Sequence, residues 1–245
     1  MLNLKVITMN IKPSKQLILT LPLISPFSYA IESINHDSVQ PITNELIETV
    51  HKKFMPWVDV EHGCDYQAAI NNQGEVSAGL AASGRSNGDC ESMQGQVYAR
   101  STDFDDGTTA IMYAYYFAKD HAFWGGLGGH RHDWENIVVW IDDNENVIGA
   151  AYSSHGSYSK TTSPLTINQS VVADYKASYT THSFFEADTT SSISQENLVS
   201  YENLTTTIQS NLSNYDWGSA VFPLKESDFF DDIAASRPFT YPYTH

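Results

Sequence analysis

Eight consecutive residues, Gly128 to Glu135 (GGHRHDWE), place two histidines, an arginine, two carboxylates and a tryptophan directly behind glycines. Side chains alternate faces along an extended strand, so Asp133 and Glu135 would share one face, with His132 and Trp134 on the other. Two carboxylates held that close repel each other unless a cation, an arginine or a shared proton offsets them. His130, read as part of the loop before the strand, can fold towards the acids. Asp120, where the preceding aromatic segment ends, can supply another oxygen. Three chemistries follow: a metal site, a polar cluster salt-bridged around Arg131, or a pair of acids for glycoside hydrolysis. The last has an unusual geometry, because i and i+2 on one strand is not the ordinary origin of a hydrolase's two acids. Carboxylate oxygens suit hard cations such as calcium or magnesium, whereas two histidines alone would suit zinc. The chain has no G-x-S-x-G elbow, no complete phosphate-binding glycine loop and no cysteine in a protease setting.

The elements that must position these residues are mostly strands. GQVYARS and the β-branched and aromatic TTAIMYAYYFAKD read as strands, the second a core strand. ENIVVWIDDNENVIGAAYS reads as a hairpin, Ile137–Ile141 and Val147–Tyr152 flanking the turn residues Asp142–Asn146. Shorter β segments are expected between Thr166 and Phe185. Leu46, Ile47, Val50 and Phe54 have helical spacing and predict a short N-terminal helix. Leu198, Tyr201, Leu204, Ile208 and Leu212 predict another near the end. Gly63 to Gly95, rich in Gly, Ser and Asn, reads as loops around a short strand. With no internal repeat and no clear linker, the expectation is mainly β: a single-domain β-sandwich with peripheral helices.

Residues 1–30 read as a secretory signal: Lys5, Lys12 and Lys15 precede the apolar LILTLPLI, and Ser28 and Ala30 occupy the small positions a signal peptidase needs. Pro22 and Pro26 interrupt a run well short of the roughly 20 residues a bilayer requires. Residues 31–245 would then be the domain. Loss of residues 1–30 removes three lysines and no acid, taking the formal charge from −16 to −19. Such a surface disfavours nucleic acid and is repelled by bare anionic membranes, so membrane contact needs a particular headgroup or a bridging divalent cation. In an exported chain the two cysteines, Cys64 and Cys90, are expected to pair, stabilising the fold by roughly 3–4 kcal/mol.

GHRHDWE followed by NIVVWID and preceded by AIMYAYYFAKD resembles the necrosis- and ethylene-inducing peptide-like proteins, whose hallmark is that heptapeptide. The likeness extends more loosely through the two cysteines, GQVYAR, SSHGSYS and DWGSAVFPLKESDF. It implies a sandwich shaped like actinoporins and certain lectins, and a secreted, monomeric, non-enzymatic cytolysin. Such a protein binds glycosylated sphingolipid headgroups of plant plasma membranes through a divalent cation, calcium or magnesium. It further implies Asp120 and Asp133 as direct ligands, with His130 and Glu135 completing the site partly through water, and Arg131, His132 and Trp134 in support. AIMYAYYFAKD is similar to family peptides sensed by plant immune receptors. The chain departs from the family in having Ala118 where proline is usual and a longer loop, HAFWGGLGG, before the motif. That loop places Phe123 and Trp124 beside the expected cavity, where aromatics can stack on sugars or enter an interface. In YKASYTTHSFFEAD, Tyr179 occupies the place of a tryptophan that aids toxicity, and His182 is a neighbouring candidate. His155 in SSHGSY is another, its alternative being a hydrogen-bonded structural histidine. The alternatives to cytolysis are a non-toxic glycan- or glycolipid-binding module of the same fold and a metal-dependent hydrolase.

Overall fold

The computed structural model describes residues 30–43, 46–91, 94–121, 128–178 and 181–244. Within Ile31–His245 the chain forms strands β1 (Ser33–Ile34), β2 (Trp57–Val60), β3 (Val76–Ser77), β4 (Gln96–Asp103), β5 (Thr109–Asp120) and β6 (His130–Ile141). There follow β7 (Val147–Ser154), β8 (Ser157–Thr161), β9 (Thr166–Ile167), β10 (Ser170–Ser178), β11 (Thr181–Glu186) and β12 (Asn197–Ser200). Helices are α1 (Thr49–Lys53), α2 (Thr206–Asn214) and α3 (Glu226–Ser236). A six-stranded sheet runs β12-β4-β5-β6-β7-β8, antiparallel except for β12 beside β4. A second sheet runs β11-β10-β2, with β9 also on β10.

Alternation along β5 and β6 builds both halves of the core. Ala110, Met112, Ala114 and Tyr116, with Trp134, Val138 and Trp140, pack under α2, α3 and the tail through Ile208, Leu212, Trp217, Phe222, Phe229 and Ile233. Ile111, Tyr113, Tyr115 and Phe117, with Ile137, Val139 and Ile141, face Val171, Ala173, Tyr175 and Phe184 of the second sheet. With both faces covered, β5 is a nearly continuous apolar run, which explains why the aromatic segment reads so strongly as strand. Cys64 and Cys90 form the expected disulfide. No helix among the described residues is long and apolar enough to cross a membrane.

Two expectations are corrected. The N-terminal helix is confined to Thr49–Lys53, and Leu46 is 73% exposed. Leu198 belongs to β12, where it pairs with Val97, and Tyr201–Asn203 is a 3-10 turn, so the terminal helix begins only at Thr206. Helix α3 was not foreseen. Of the expected signal, residues 1–29 lie outside the described residues.

His51 of α1 locks the helix to the sheet: Nδ1 lies 2.8 Å from Ser200 Oγ on β12 and Nε2 3.0 Å from Ser101 Oγ on β4. Burial holds its pKa down at about 4, against the opposing charge of Glu48. A histidine kept neutral in the fold but titrating near 6.5 when unfolded contributes stability above pH 6.5 that is lost as pH falls towards 4. Replacing His51 with glutamine, which keeps hydrogen-bonding capacity without titrating, should therefore change the pH profile. Wild type should lose about 3 kcal/mol relative to His51→Gln between pH 7 and 4, roughly 6–12 °C in Tm. A constant gap in thermal melts across that range would contradict this.

Candidate functional site

The ladder between β5 and β6 sets the geometry. Phe117 faces Asp133, Tyr115 faces Glu135 and Asp120 faces His130. Glycine at position 129 is required by the close approach there: its φ is +86° and a Cβ would lie 2.2 Å from the carbonyl oxygen of Asp120. The chain thus re-enters pairing one residue earlier than the sequence suggested, and His130 is the first residue of β6 rather than a loop residue. Asp133 and Glu135 share the face turned to the second sheet, as alternation predicts. Asp120 lies three residues past Phe117, a spacing that alternation alone assigns to the opposite face. At the last position of β5 its carboxylate nevertheless reaches the second sheet, where His182 Nδ1–H donates to Oδ1 over 2.7 Å.

Ligand-capable atoms of Asp120, His130 and Asp133 all fall within 4.8 Å of one another. His130 Nδ1–H donates to the carbonyl of His132 at 2.6 Å, which leaves the Nε2 lone pair free, 3.8 Å from Asp120 Oδ2. The Tyr175 hydroxyl donates to Asp133 Oδ2 at 3.1 Å, and the Ser153 hydroxyl donates to Glu135. Glu135 stands outside the trio, one step further along the same strand face. All three carboxylates are buried, Asp120 at 2%, Asp133 at 5% and Glu135 at 6% exposure. Among the described residues no lysine or arginine forms an ion pair with any of them. Burial, and then the charges of Glu135 and Asp120, push Asp133 well above the usual carboxylate range, against the pull of Tyr175. Glu135 is pushed up to about 8 by burial and the charge of Asp120, opposed by the Ser153 hydrogen bond. Buried acids without a counter-charge, with one imidazole nitrogen converging on them, fit a metal ion, and the oxygen-dominated donors fit a hard one.

The carboxylates lie at one end of a cleft of about 440 Å³ that continues past Ser153, His155 and Tyr158 to Val221 and to Asp232 of α3. His155 stands on its rim, with Nε2 2.9 Å from Thr181 Oγ1, and Trp134 contributes part of its wall. Two supporting candidates face elsewhere. Arg131 donates to the carbonyls of Ala78 and Gly79 at 2.8 and 3.0 Å, so the polar cluster that would have centred on it does not form. His132, at φ 58°, turns into the helix-side core, Nδ1 2.7 Å from the Tyr116 hydroxyl, and burial holds its pKa at about 4. Phe123, Trp124 and Tyr179 lie outside the described residues. Tyr175, Ser153 and His62, which touches His182, were not singled out in the sequence. Alternation from Val171 through Ala173 was the only signal available for Tyr175.

The profile of the family described as necrosis inducing protein (NPP1) matches residues 48–236. The chain is 32% identical over 232 residues to a necrosis-inducing protein NPP1 of Phytophthora nicotianae, covering 88% of this chain and 97% of that one. It is 31% identical over 229 residues to NLP effector protein 3 of Phytophthora capsici, covering 88% and 95%. Among solved structures it is similar to a non-toxic HaNLP3 protein, at 34% identity and a TM-score of 0.75 over 84% of this chain and 100% of that one. It is also similar to NLPPya in complex with mannosamine, at 33% identity and a TM-score of 0.75 over 85% and 99%.

The elevated Glu135 pKa has a direct consequence for stability. A carboxyl whose folded value lies above its unfolded one stabilises the fold below about pH 4.5, and that contribution is lost as pH rises through about 8. In chelated buffer, Glu135→Gln should melt several degrees above wild type at pH 8, and the gap should close towards pH 4.5. Equal melting temperatures at both pH values would count against the buried, uncompensated charge.

Proposed function

The chain belongs to the necrosis-inducing protein (NPP1) family, and from that premise we propose that it is a secreted cytolysin. In this reading it binds the glycosylated sphingolipid headgroups of plant plasma membranes. The carrying observation is the convergence of Asp120, His130 and Asp133 at an open cleft, with no lysine or arginine paired to them among the described residues. Asp120 and Asp133 are the direct ligands, His130 offers Nε2, and Glu135 acts through water. The cation is calcium or magnesium, and it would supply coordination positions that sugar hydroxyls can fill. The rest of the cleft is the chain's own contribution: Ser153 and Tyr175 hold the acids in place, and His155 and Tyr158 offer polar groups along the groove. A related structure holds mannosamine, which supports a sugar as the ligand class. Headgroup binding then brings the neighbouring loops against the bilayer. This is binding without turnover.

A second reading, a non-cytolytic glycan- or glycolipid-binding module, is favoured by the likeness to a non-toxic relative of the same fold. Retained fold and site are compatible with either outcome.

Dye-loaded vesicles containing plant glycosylated sphingolipid separate the readings. Wild type with calcium should cause leakage, and either chelation or Asp133→Ala should reduce the rate by at least about tenfold. Headgroup binding by folded wild type without leakage would select the second reading. Release of cleaved headgroup with turnover would contradict both.

A further inference from the structure

We propose that His62 is a positioning residue for the cation site, holding Asp120 in place through His182. The proposal rests on reading Asp120, His130 and Asp133 as ligands, and its own support is a chain of contacts outside that trio. An ionised Asp120 can only accept, so His182 donates from Nδ1 at 2.7 Å. A neutral His182 then has a bare Nε2, which His62 Nδ1 meets at 2.9 Å and to which it donates. The two imidazoles lie within 25° of coplanar with centroids 5.1 Å apart, the arrangement of an edge-to-edge hydrogen-bonded pair. His182 is 1% exposed, so without His62 its inner nitrogen would be a buried acceptor with no donor.

The backbone is shaped around this contact. Gly63, next to His62, has φ +96°, and a Cβ there would lie 2.7 Å from His182 Nε2. The other end of the chain of contacts is also fixed. His62 Nε2 faces the Ser86 hydroxyl at 3.4 Å, inside the loop closed by Cys64 and Cys90. That loop is tied to both sequence neighbours of Asp120. Lys119 Nζ donates to the carbonyls of Ser83, Arg85 and Gly88 at 3.2, 2.9 and 2.9 Å, and His121 Nε2 donates to that of Gly84 at 3.2 Å. Asp120 is therefore braced along the backbone by its neighbours and through its side chain by His182 and His62. With Oδ1 committed to His182, Oδ2 is the oxygen turned towards His130. A wall of this kind fixes which oxygen a ligand offers, as outer hydrogen bonds do around metal sites generally.

Calorimetric titration of calcium chloride into wild type, His62→Ala and His62→Asn tests this, with Asp133→Asn as the control for the site itself. Nitrogen-15 NMR of the calcium-free proteins reports whether His182 keeps a slowly exchanging Nδ1–H. His62→Ala should bind calcium about tenfold or more weakly and lose the protected His182 proton, while still folding in one cooperative transition. The asparagine amide can donate from the same position and should restore both signals. Calcium binding by His62→Ala as tight as wild type, or an asparagine variant no better than alanine, would overturn the role of His62 alone. No calcium binding by wild type, or unchanged binding by Asp133→Asn, would overturn the site on which it rests.

Discussion

Three carboxylates buried at one end of a sandwich, with no lysine or arginine paired to them among the described residues, are the constraint around which the structure is arranged. Desolvation alone would drive such groups to take up protons, and their mutual repulsion adds to the effect. The protein does not relieve the strain by spreading the acids apart. Asp133 and Glu135 are fixed two residues apart on β6 by its ladder with β5, and Asp120 is fixed opposite His130 by the same ladder. Each acid instead receives a donor from a different element: Tyr175 of β10, Ser153 of β7 and His182 of β11. These hydrogen bonds orient the oxygens but bring no lysine or arginine, which leaves the group suited to an external cation.

The motif divides its labour between the faces of β6. Asp133 and Glu135 face the cleft side, while His132 and Trp134 anchor the strand into the helix-side core against Trp217 and Phe222. His132 breaks the regular twist with a left-handed backbone, and Arg131 ties the strand to the carbonyls of Ala78 and Gly79. Arg131 and His132 are thus engaged in structural contacts, while His130 lies with Asp120 and Asp133. The same economy holds in the disulfide loop, whose carbonyls are gathered by Lys119 immediately beside Asp120.

The parts of this arrangement that follow from local periodicity were legible in the sequence. A period of two placed Asp133 and Glu135 together, and the aromatic and β-branched density of Thr108–Phe117 marked a core strand. Readings failed where an apolar spacing fits two conformations. Leu198 belongs equally to a helical stripe and to a short strand, and its pairing with Val97 decided for the strand. Helix α3 offers only Phe229 and Ile233 as buried apolar anchors within an acidic stretch, too faint a stripe to stand out. His130 was assigned to the loop because nothing local shows that the backbone of Gly129 closes onto Asp120. The contact between His62 and His182 joins residues 120 apart in sequence, and no local pattern encodes it.

A cluster of buried acids held by hydrogen bonds from three strands suits recognition of a ligand that completes a cation's coordination. Long-wavelength anomalous diffraction from crystals grown in calcium tests that claim most directly. A calcium peak coordinated by Asp120 and Asp133, with His130 Nε2 facing it, is the expected result. The absence of a peak there, or a peak from which Asp120 is turned away, would contradict it.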